Sequence, residues 1–187
     1  MLKHIKSLFQ FVSLYGASTI FGLLKVFLIS VALQPNEFGL YIIIVLAASL
    51  FSYSSSIGIF DSFLVLSRKD SEIQNLKNKM LSGLTFSSVF SVFLLLCAFA
   101  FMINQNETLL IEKLILPAAL FIFLQIRVNG LMCIVQGDNR PMLYAAGMGL
   151  KNIIPVFFLL AINFNSLSSI IYIELISNLI VVVLLHN

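Results

Sequence analysis

The chain has 187 residues, of which 60% are hydrophobic and 10% are charged. Soluble domains contain about 45–50% apolar and about 25% charged residues, so this composition excludes an ordinary soluble fold and indicates a protein embedded in a lipid bilayer. The net charge of +3 does not indicate a nucleic-acid partner, because the cations lie mainly between long apolar runs, as topology signals do. Cys97 and Cys133 both lie within apolar runs, which predicts buried thiols and neither a disulfide framework nor a metal site.

Six apolar runs are long enough to form transmembrane helices, since crossing about 30 Å of hydrocarbon takes about 20 residues. The sequence therefore predicts an all-α fold, a polytopic bundle of six transmembrane helices in a single domain. The predicted helices cover residues 8–33, 39–66, 80–103, 109–136, 142–162 and 167–185. The first run follows Lys3 and Lys6 as a signal peptide would, but it is too long and no A-x-A site follows, so we expect it to remain uncleaved.

Proline and asparagine mark the expected helix ends and bends. Pro35 is expected to stop the first helix and Asn36 to cap the second. Pro117 and Pro155 lie inside predicted helices and predict kinks. Residues 137–141, Gly-Asp-Asn-Arg-Pro, predict a short turn.

Small and hydroxylated side chains predict contacts between helices. Small residues that permit close helix approach occur in the first and fifth predicted helices: Gly16, Ser18, Gly22, Ala145 and Gly149. The second helix carries a polar cluster, Ser52 to Ser56, whose hydroxyl groups either bond to neighbouring helices or face a substrate.

The distribution of cations predicts the orientation in the membrane. Three segments on one side hold seven of the eleven Lys and Arg residues: the N-terminal tail, residues 68–79 and residues 137–141. The connections on the other side hold none: residues 34–37, 104–108 and 163–166. The positive-inside rule therefore predicts that both termini are cytoplasmic.

Apart from Glu112 and Lys113 at the entrance of the fourth span, five charged residues lie inside the predicted spans and form the candidate site. Lys25, Arg127 and Lys151 are cations, whereas Glu174 is the only comparably deep acid and Asp61 lies nearer the inner surface. A charge at the centre of a span costs at least about 2.5–3.5 kcal/mol, so such residues face a cavity, a partner or the bundle interior. The cation excess predicts a cationic, water-filled cavity for a phosphate-bearing lipid headgroup.

Each of these charges also has a purely structural interpretation. Lys25 or Arg127 could extend toward a headgroup, and Lys151 could pair with Glu174 on the next helix. Asp61 could pair with Arg68 or Lys69, and it or Glu174 could instead contribute to ion coupling. No Gly-rich phosphate loop, H-E-x-x-H motif or paired carboxylates occur in the sequence, which predicts neither catalysis nor a cofactor.

Motifs within residues 33–68 and the turn at residues 136–145 resemble a known family. The stretch L-x-P-x-E-F-G-L-Y at residues 33–41, the S-x-G-I at residues 56–59, and Arg68 resemble O-antigen flippases, which are polysaccharide exporters of the multidrug/oligosaccharidyl-lipid/polysaccharide exporter superfamily. The turn sequence QGDNRPMLYA at residues 136–145 is similar to that family's connection between its fourth and fifth helices. Gln34 departs from the family, which often has glycine there.

The resemblance implies a transporter that moves undecaprenyl-pyrophosphate-linked oligosaccharides across the bacterial inner membrane. It also implies that Lys25 is the cation that related flippases commonly carry in their first helix. A polysaccharide polymerase and a chain-length regulator are the partner proteins that it implies. Family members have two lobes of about six helices with the substrate path between them. We therefore expect this chain to be the N-terminal lobe of a longer transporter; the alternative is a half-size protein that pairs with itself or with a second lobe.

Two other functions remain open. A multidrug or cation antiporter lobe of the same superfamily would need membrane acids that bind protons or sodium, and the excess of basic residues disfavours it. A non-transporting scaffold of a polysaccharide assembly complex would use the membrane charges as partner contacts. Substitution of Lys25, Arg127 and Lys151 separates transport from assembly.

Overall fold

The computed structural model describes residues 2–56, 59–66, 73–103, 108–162 and 166–186. Within these ranges, side chains are not described at residues 2–8, 10, 53–56, 59–61, 66, 73–74, 98–103 and 108–113. The described chain is helical, and its helices are α1 (Leu2–Ala32), α2 (Pro35–Ser56), α3 (Ile59–Leu66), α4 (Ile73–Ile103), α5 (Thr108–Gly137), α6 (Pro141–Ala161) and α7 (Leu167–His186).

Six of these helices are long and apolar enough to cross a membrane: α1, α2, α4, α5, α6 and α7. Large apolar side chains cover the outside of the bundle; Phe86 and Leu23 are 74% and 70% exposed. Such a surface is stable in lipid but not in water. The predicted all-α membrane bundle is confirmed.

Helix boundaries differ from the prediction most at the first three spans, and α1 begins at Leu2, six residues before the predicted start. The predicted helix 39–66 is found as α2 and α3, and residues 57–58 between them lie outside the described part of the chain. The predicted start at residue 80 was wrong, because α4 begins at Ile73 and includes Lys77 and Lys79. A helix can continue beyond the hydrocarbon with polar residues, since Lys, Asn and Gln are acceptable in helices exposed to water.

The predicted cap of α2 was also wrong. This helix begins at Pro35, and the Phe38 N–H donates to the Gln34 carbonyl at 2.9 Å. Gln34 therefore precedes the helix, and Asn36 lies within its first turn. Proline is favoured at the first helical position because it has no N–H to leave unpaired. Pro117 and Pro155 lie inside the continuous helices α5 and α6.

Helix α5 is at the centre of the bundle and packs against α2, α3, α4, α6 and α7, while α1 packs mainly on α6. Small side chains permit two of these contacts. Gly130 on α5 faces Leu84 on α4, where an added Cβ would lie 2.1 Å from a Leu84 methyl carbon. Gly22 and Ser18 on α1 face Asn152 on α6, whose amide donates to the Ser18 carbonyl at 3.1 Å and hydroxyl at 3.2 Å.

The α5–α6 turn is fixed by its own backbone hydrogen bonds. The Arg140 N–H donates to the Val135 carbonyl and the Asn139 N–H to the Gln136 carbonyl, both at 3.1 Å. Asn139 has a φ of 56°, the left-handed conformation that such a helix end requires and that asparagine tolerates better than most residues. This motif sets the positions of Asp138 and Arg140 at the end of the bundle.

Candidate functional site

A buried ion pair joins α1 to α7. The Lys25 Nζ atom lies 2.9 Å from Glu174 Oε1, and the two side chains are 11% and 2% exposed. The Tyr41 hydroxyl on α2 donates to the same Oε1 atom at 2.9 Å. The Glu174 carboxylate therefore binds an ammonium group of α1 and a hydroxyl group of α2. A buried charge needs such ion-pair and hydrogen-bond partners.

Lys151 on α6 completes the cluster. It lines a cavity of about 70 Å³ together with Lys25, Glu174 and Tyr41. Among the described residues, no anion or hydrogen-bond acceptor contacts its ammonium group, whereas Lys25 is paired. With both lysines protonated, the cluster carries one net positive charge within the membrane-spanning part of the bundle.

Polar contacts behind the cavity fix the helices that carry these groups. The Ser177 hydroxyl on α7 donates to the Lys151 carbonyl at 3.1 Å. The Asn178 amide on α7 donates to Gln125 Oε1 on α5 at 3.3 Å, and Gln125 also lines the cavity. Because Glu174, Ser177 and Asn178 are three or four residues apart, they share one face of α7.

The cluster lies nearer one end of the bundle than the other. Lys25 precedes the end of α1 at Ala32 by seven residues, and Glu174 follows the start of α7 at Leu167 by seven. At 1.5 Å per residue this depth is about 10 Å along the helix axis. The site is therefore below the surface, in the half that the cation distribution predicts to face away from the cytoplasm.

Arg127 does not join the cluster. It donates to the Thr85 hydroxyl of α4 at 3.0 Å, and its guanidinium lies 5.5 Å from the Phe123 ring centroid. Arg127 follows Gln125 by two residues, and helix positions two apart point to nearly opposite sides. Gln125 faces the cavity, so Arg127 faces α4 and the outside of the bundle. Of the three predicted cations, Lys25 and Lys151 line the cavity of about 70 Å³ and Arg127 does not.

Three further predicted residues, and four of the five residues of the serine cluster, lie partly or wholly outside the described part of the chain. Asp61 is in α3, but its side chain is outside the described part, as are Arg68 and Lys69. In the serine cluster, the Ser52 hydroxyl is buried and accepts a hydrogen bond from the Asn129 amide at 2.8 Å. Ser52 thus joins α2 to α5, which agrees with its interpretation as a packing contact.

Sequence reasoning missed Tyr41 and Gln125 as site residues. Tyr41 belongs to the stretch that carries the family resemblance, but nothing in its sequence context identified Glu174 as its partner. Gln125 is a polar residue two positions from Arg127 inside an apolar span, and that polarity was a usable signal. Within the described residues, no group of three His, Cys, Asp or Glu side chains could hold a metal ion.

The fold and the site define a multi-pass helical membrane protein with a buried polar cluster of two lysines, a glutamate and a tyrosine between its spans. Comparison with known proteins adds no relative: no family model, no curated protein and no solved structure matches the chain.

Proposed function

We propose that the chain forms a lobe of a flippase that moves lipid-linked, phosphate-bearing oligosaccharide, of the undecaprenyl-pyrophosphate type, across a bacterial inner membrane. The observation that carries the proposal is Lys151, a lysine in a membrane span whose ammonium group forms no ion pair within 4 Å among the described residues. The family resemblance of residues 33–41 and 136–145 supports the same assignment.

The physical argument starts from the cost of an unpaired charge. A lysine in the middle of a span costs at least about 2.5 kcal/mol, and an anion that reaches it removes part of that cost. Lys151 borders the same cavity as Lys25, so a single phosphate group could contact both ammonium groups. A diphosphate substrate would be recognised in this way through its charge and independently of its sugars.

The size of the cavity sets a condition on this proposal. A cavity of about 70 Å³ has room for about two water molecules at about 30 Å³ each, but not for an oligosaccharide. Transport therefore requires the helices around Lys25 and Lys151 to separate. In an opened state the substrate phosphate would compete with Glu174 for Lys25, so that binding and opening are linked.

Glu174 supports a second candidate, an ion-coupled antiporter. It is the acid at the centre of the cluster and is 2% exposed, which is the placement expected of a carboxylate that exchanges a proton or a sodium ion. In this function Lys25 would form an ion pair with the Glu174 carboxylate whenever no transported ion is bound to it. The scaffold function has no comparable support, because the cluster faces inward and not toward a partner.

The test is complementation of a bacterial strain that lacks its own O-antigen flippase. The 187-residue chain and a version extended through any downstream reading frame are compared for restored surface polysaccharide, with membrane insertion verified by immunoblot. In whichever version is active, Lys151→Ala is expected to abolish export and Lys151→Arg to retain part of it. The matched control is Lys79→Ala, which removes an exposed lysine of α4 outside the cavity.

Full export by Lys151→Ala at normal membrane levels would contradict the flippase proposal. Loss of export together with loss of co-purifying assembly proteins would favour the scaffold. Cation-dependent drug efflux that disappears in Glu174→Gln while polysaccharide export is unaffected would favour the antiporter.

A further inference from the structure

A second cavity lies at the end of the bundle where α4 begins, α5 meets α6, and α7 ends. We call it the turn cavity; its volume is about 250 Å³, compared with about 70 Å³ for the first. Lys77, Asp138, Arg140 and His186 line its polar side. None of these residues belongs to the buried cluster around Glu174, so the turn cavity is a separate site.

The charge of this cavity is positive. Lys77 Nζ and Asp138 Oδ2 form an ion pair at 2.6 Å and cancel each other. Arg140 is exposed, and its guanidinium has no anionic partner among the described residues. His186 adds a ring that donates at least one N–H in either protonation state.

The opposite wall of the turn cavity is apolar. Leu131 and Val135 of α5 and Leu185 of α7 contribute buried side chains, and Leu81 and Leu143 contribute half-buried ones. A positive rim beside an apolar wall at the end of membrane spans matches a molecule with an anionic head and an apolar chain. A free polar anion would use only the rim.

We propose that the turn cavity binds the phosphate head of an anionic lipid, with Arg140 as its main ligand. Arginine binds phosphate oxygens through two parallel N–H groups, and basic pockets between helix ends are a common headgroup site. The volume is slightly below the roughly 300 Å³ at which pockets for whole small molecules begin. It therefore fits a headgroup and the first atoms of the chain. This inference does not depend on the proposed transport function.

The geometry of the α5–α6 turn supports a preformed site. Arg140 and Asp138 flank Asn139, whose left-handed backbone and two surrounding hydrogen bonds fix the turn. The Lys77–Asp138 ion pair ties this turn to α4. Asp138 repels a phosphate and also occupies Lys77, so it limits the affinity of the cavity. Removal of its charge should therefore strengthen lipid binding, which a purely structural role would not produce.

The experiment uses native mass spectrometry of the full chain released from phosphatidylcholine nanodiscs that contain increasing amounts of phosphatidic acid. The Arg140→Gln variant is expected to bind phosphatidic acid about tenfold more weakly, because a charge-assisted bidentate contact is lost. Asp138→Asn is expected to bind it more tightly than the unmodified chain. Lys79→Gln, which removes an exposed cation outside the cavity, is the matched control and is expected to change binding little.

The nature of the ligand is tested with three competitors. Phosphatidylcholine and inorganic phosphate are expected not to displace phosphatidic acid, whereas undecaprenyl phosphate is expected to displace it because it also joins a phosphate head to an apolar chain. Failure of undecaprenyl phosphate to displace it would overturn recognition through the phosphate. Equal effects of Arg140→Gln and Lys79→Gln, or weaker binding in Asp138→Asn, would overturn the site. Displacement by inorganic phosphate at equal concentration would overturn the assignment to a lipid.

Discussion

Lys25 on α1 and Glu174 on α7 are ion-paired at 2.9 Å although each helix packs mainly against other helices: α1 on α6, and α7 on α5 and α6. The long lysine side chain spans the gap between them and reaches the carboxylate. In the interior of a bilayer no bulk water solvates either charge, so each charged group is stabilised mainly by the other. The ion pair therefore connects α1, which packs mainly on α6, to the buried face of α7.

We expect Lys25→Met and Glu174→Gln to lower the free energy of unfolding by about 3–5 kcal/mol each, because each leaves a buried group without its partner. The double variant should lose less than the sum of the two, since neither member of the Lys25–Glu174 pair is then left without its partner. Unfolding of the purified chain in mixed micelles, followed by circular dichroism, measures this coupling. Lys79→Met is the control for loss of an exposed cation, and strictly additive losses would contradict the prediction.

The Tyr41 hydroxyl makes a smaller, separable contribution. Tyr41→Phe removes one hydrogen bond to the Glu174 carboxylate, and a bond to a charged group contributes about 1.5–3 kcal/mol. The same change at Tyr172, which is 52% exposed and has no hydroxyl partner among the described side chains, should have little effect. The same micelle unfolding assay compares the two variants. Equal losses would mean that the Tyr41–Glu174 contact contributes nothing.

Composition and run length were sufficient to predict the six-helix membrane bundle, because the bilayer requires long apolar helices. They also identified Lys25, Lys151 and Glu174 as unusual. They could not predict the rotation of each helix about its own axis, which decides which side chains face the interior of the bundle. Apolar residues occur all around helix α5, so it has no single hydrophobic face. The sequence pattern therefore does not indicate which side of the helix Gln125 or Arg127 occupies.

The pairing of Glu174 shows the same limit at the level of single contacts. A lysine on the neighbouring helix, Lys151, was a reasonable partner by sequence proximity, yet the carboxylate pairs with Lys25. That choice depends on how α1 sits against α6, through Ser18, Gly22 and Asn152. Small residues indicate that a close contact exists but do not specify which helix makes it.

Gly130 should be the position most sensitive to an added methyl group. Its Cβ would lie 2.1 Å from a methyl carbon of Leu84, a side chain that is 1% exposed and has little room to move. We expect Gly130→Ala to cost about 1–3 kcal/mol of stability through overpacking. In the double variant with Leu84→Ala, the clash is removed and the methyl added at residue 130 should cost much less.

Gly16 provides the matched control for this substitution. It is also a helical glycine, but nothing lies within 4 Å of its added Cβ. Gly16→Ala should therefore stabilise the chain by up to about 1 kcal/mol through helix propensity. Thermal unfolding in detergent distinguishes the two variants, and equal shifts in melting temperature would contradict the close α4–α5 contact.

The predicted orientation can be tested with two exposed glutamines, Gln34 before α2 and Gln136 near the end of α5. Three membrane crossings separate them, so they lie on opposite sides. If both termini are cytoplasmic, a membrane-impermeant maleimide should label Gln34→Cys in intact bacterial spheroplasts and Gln136→Cys only in inverted vesicles. The chain with only Cys97 and Cys133 measures background labelling. The reverse pattern would contradict the orientation, and it would also place the Arg140 rim of the turn cavity on the outer face.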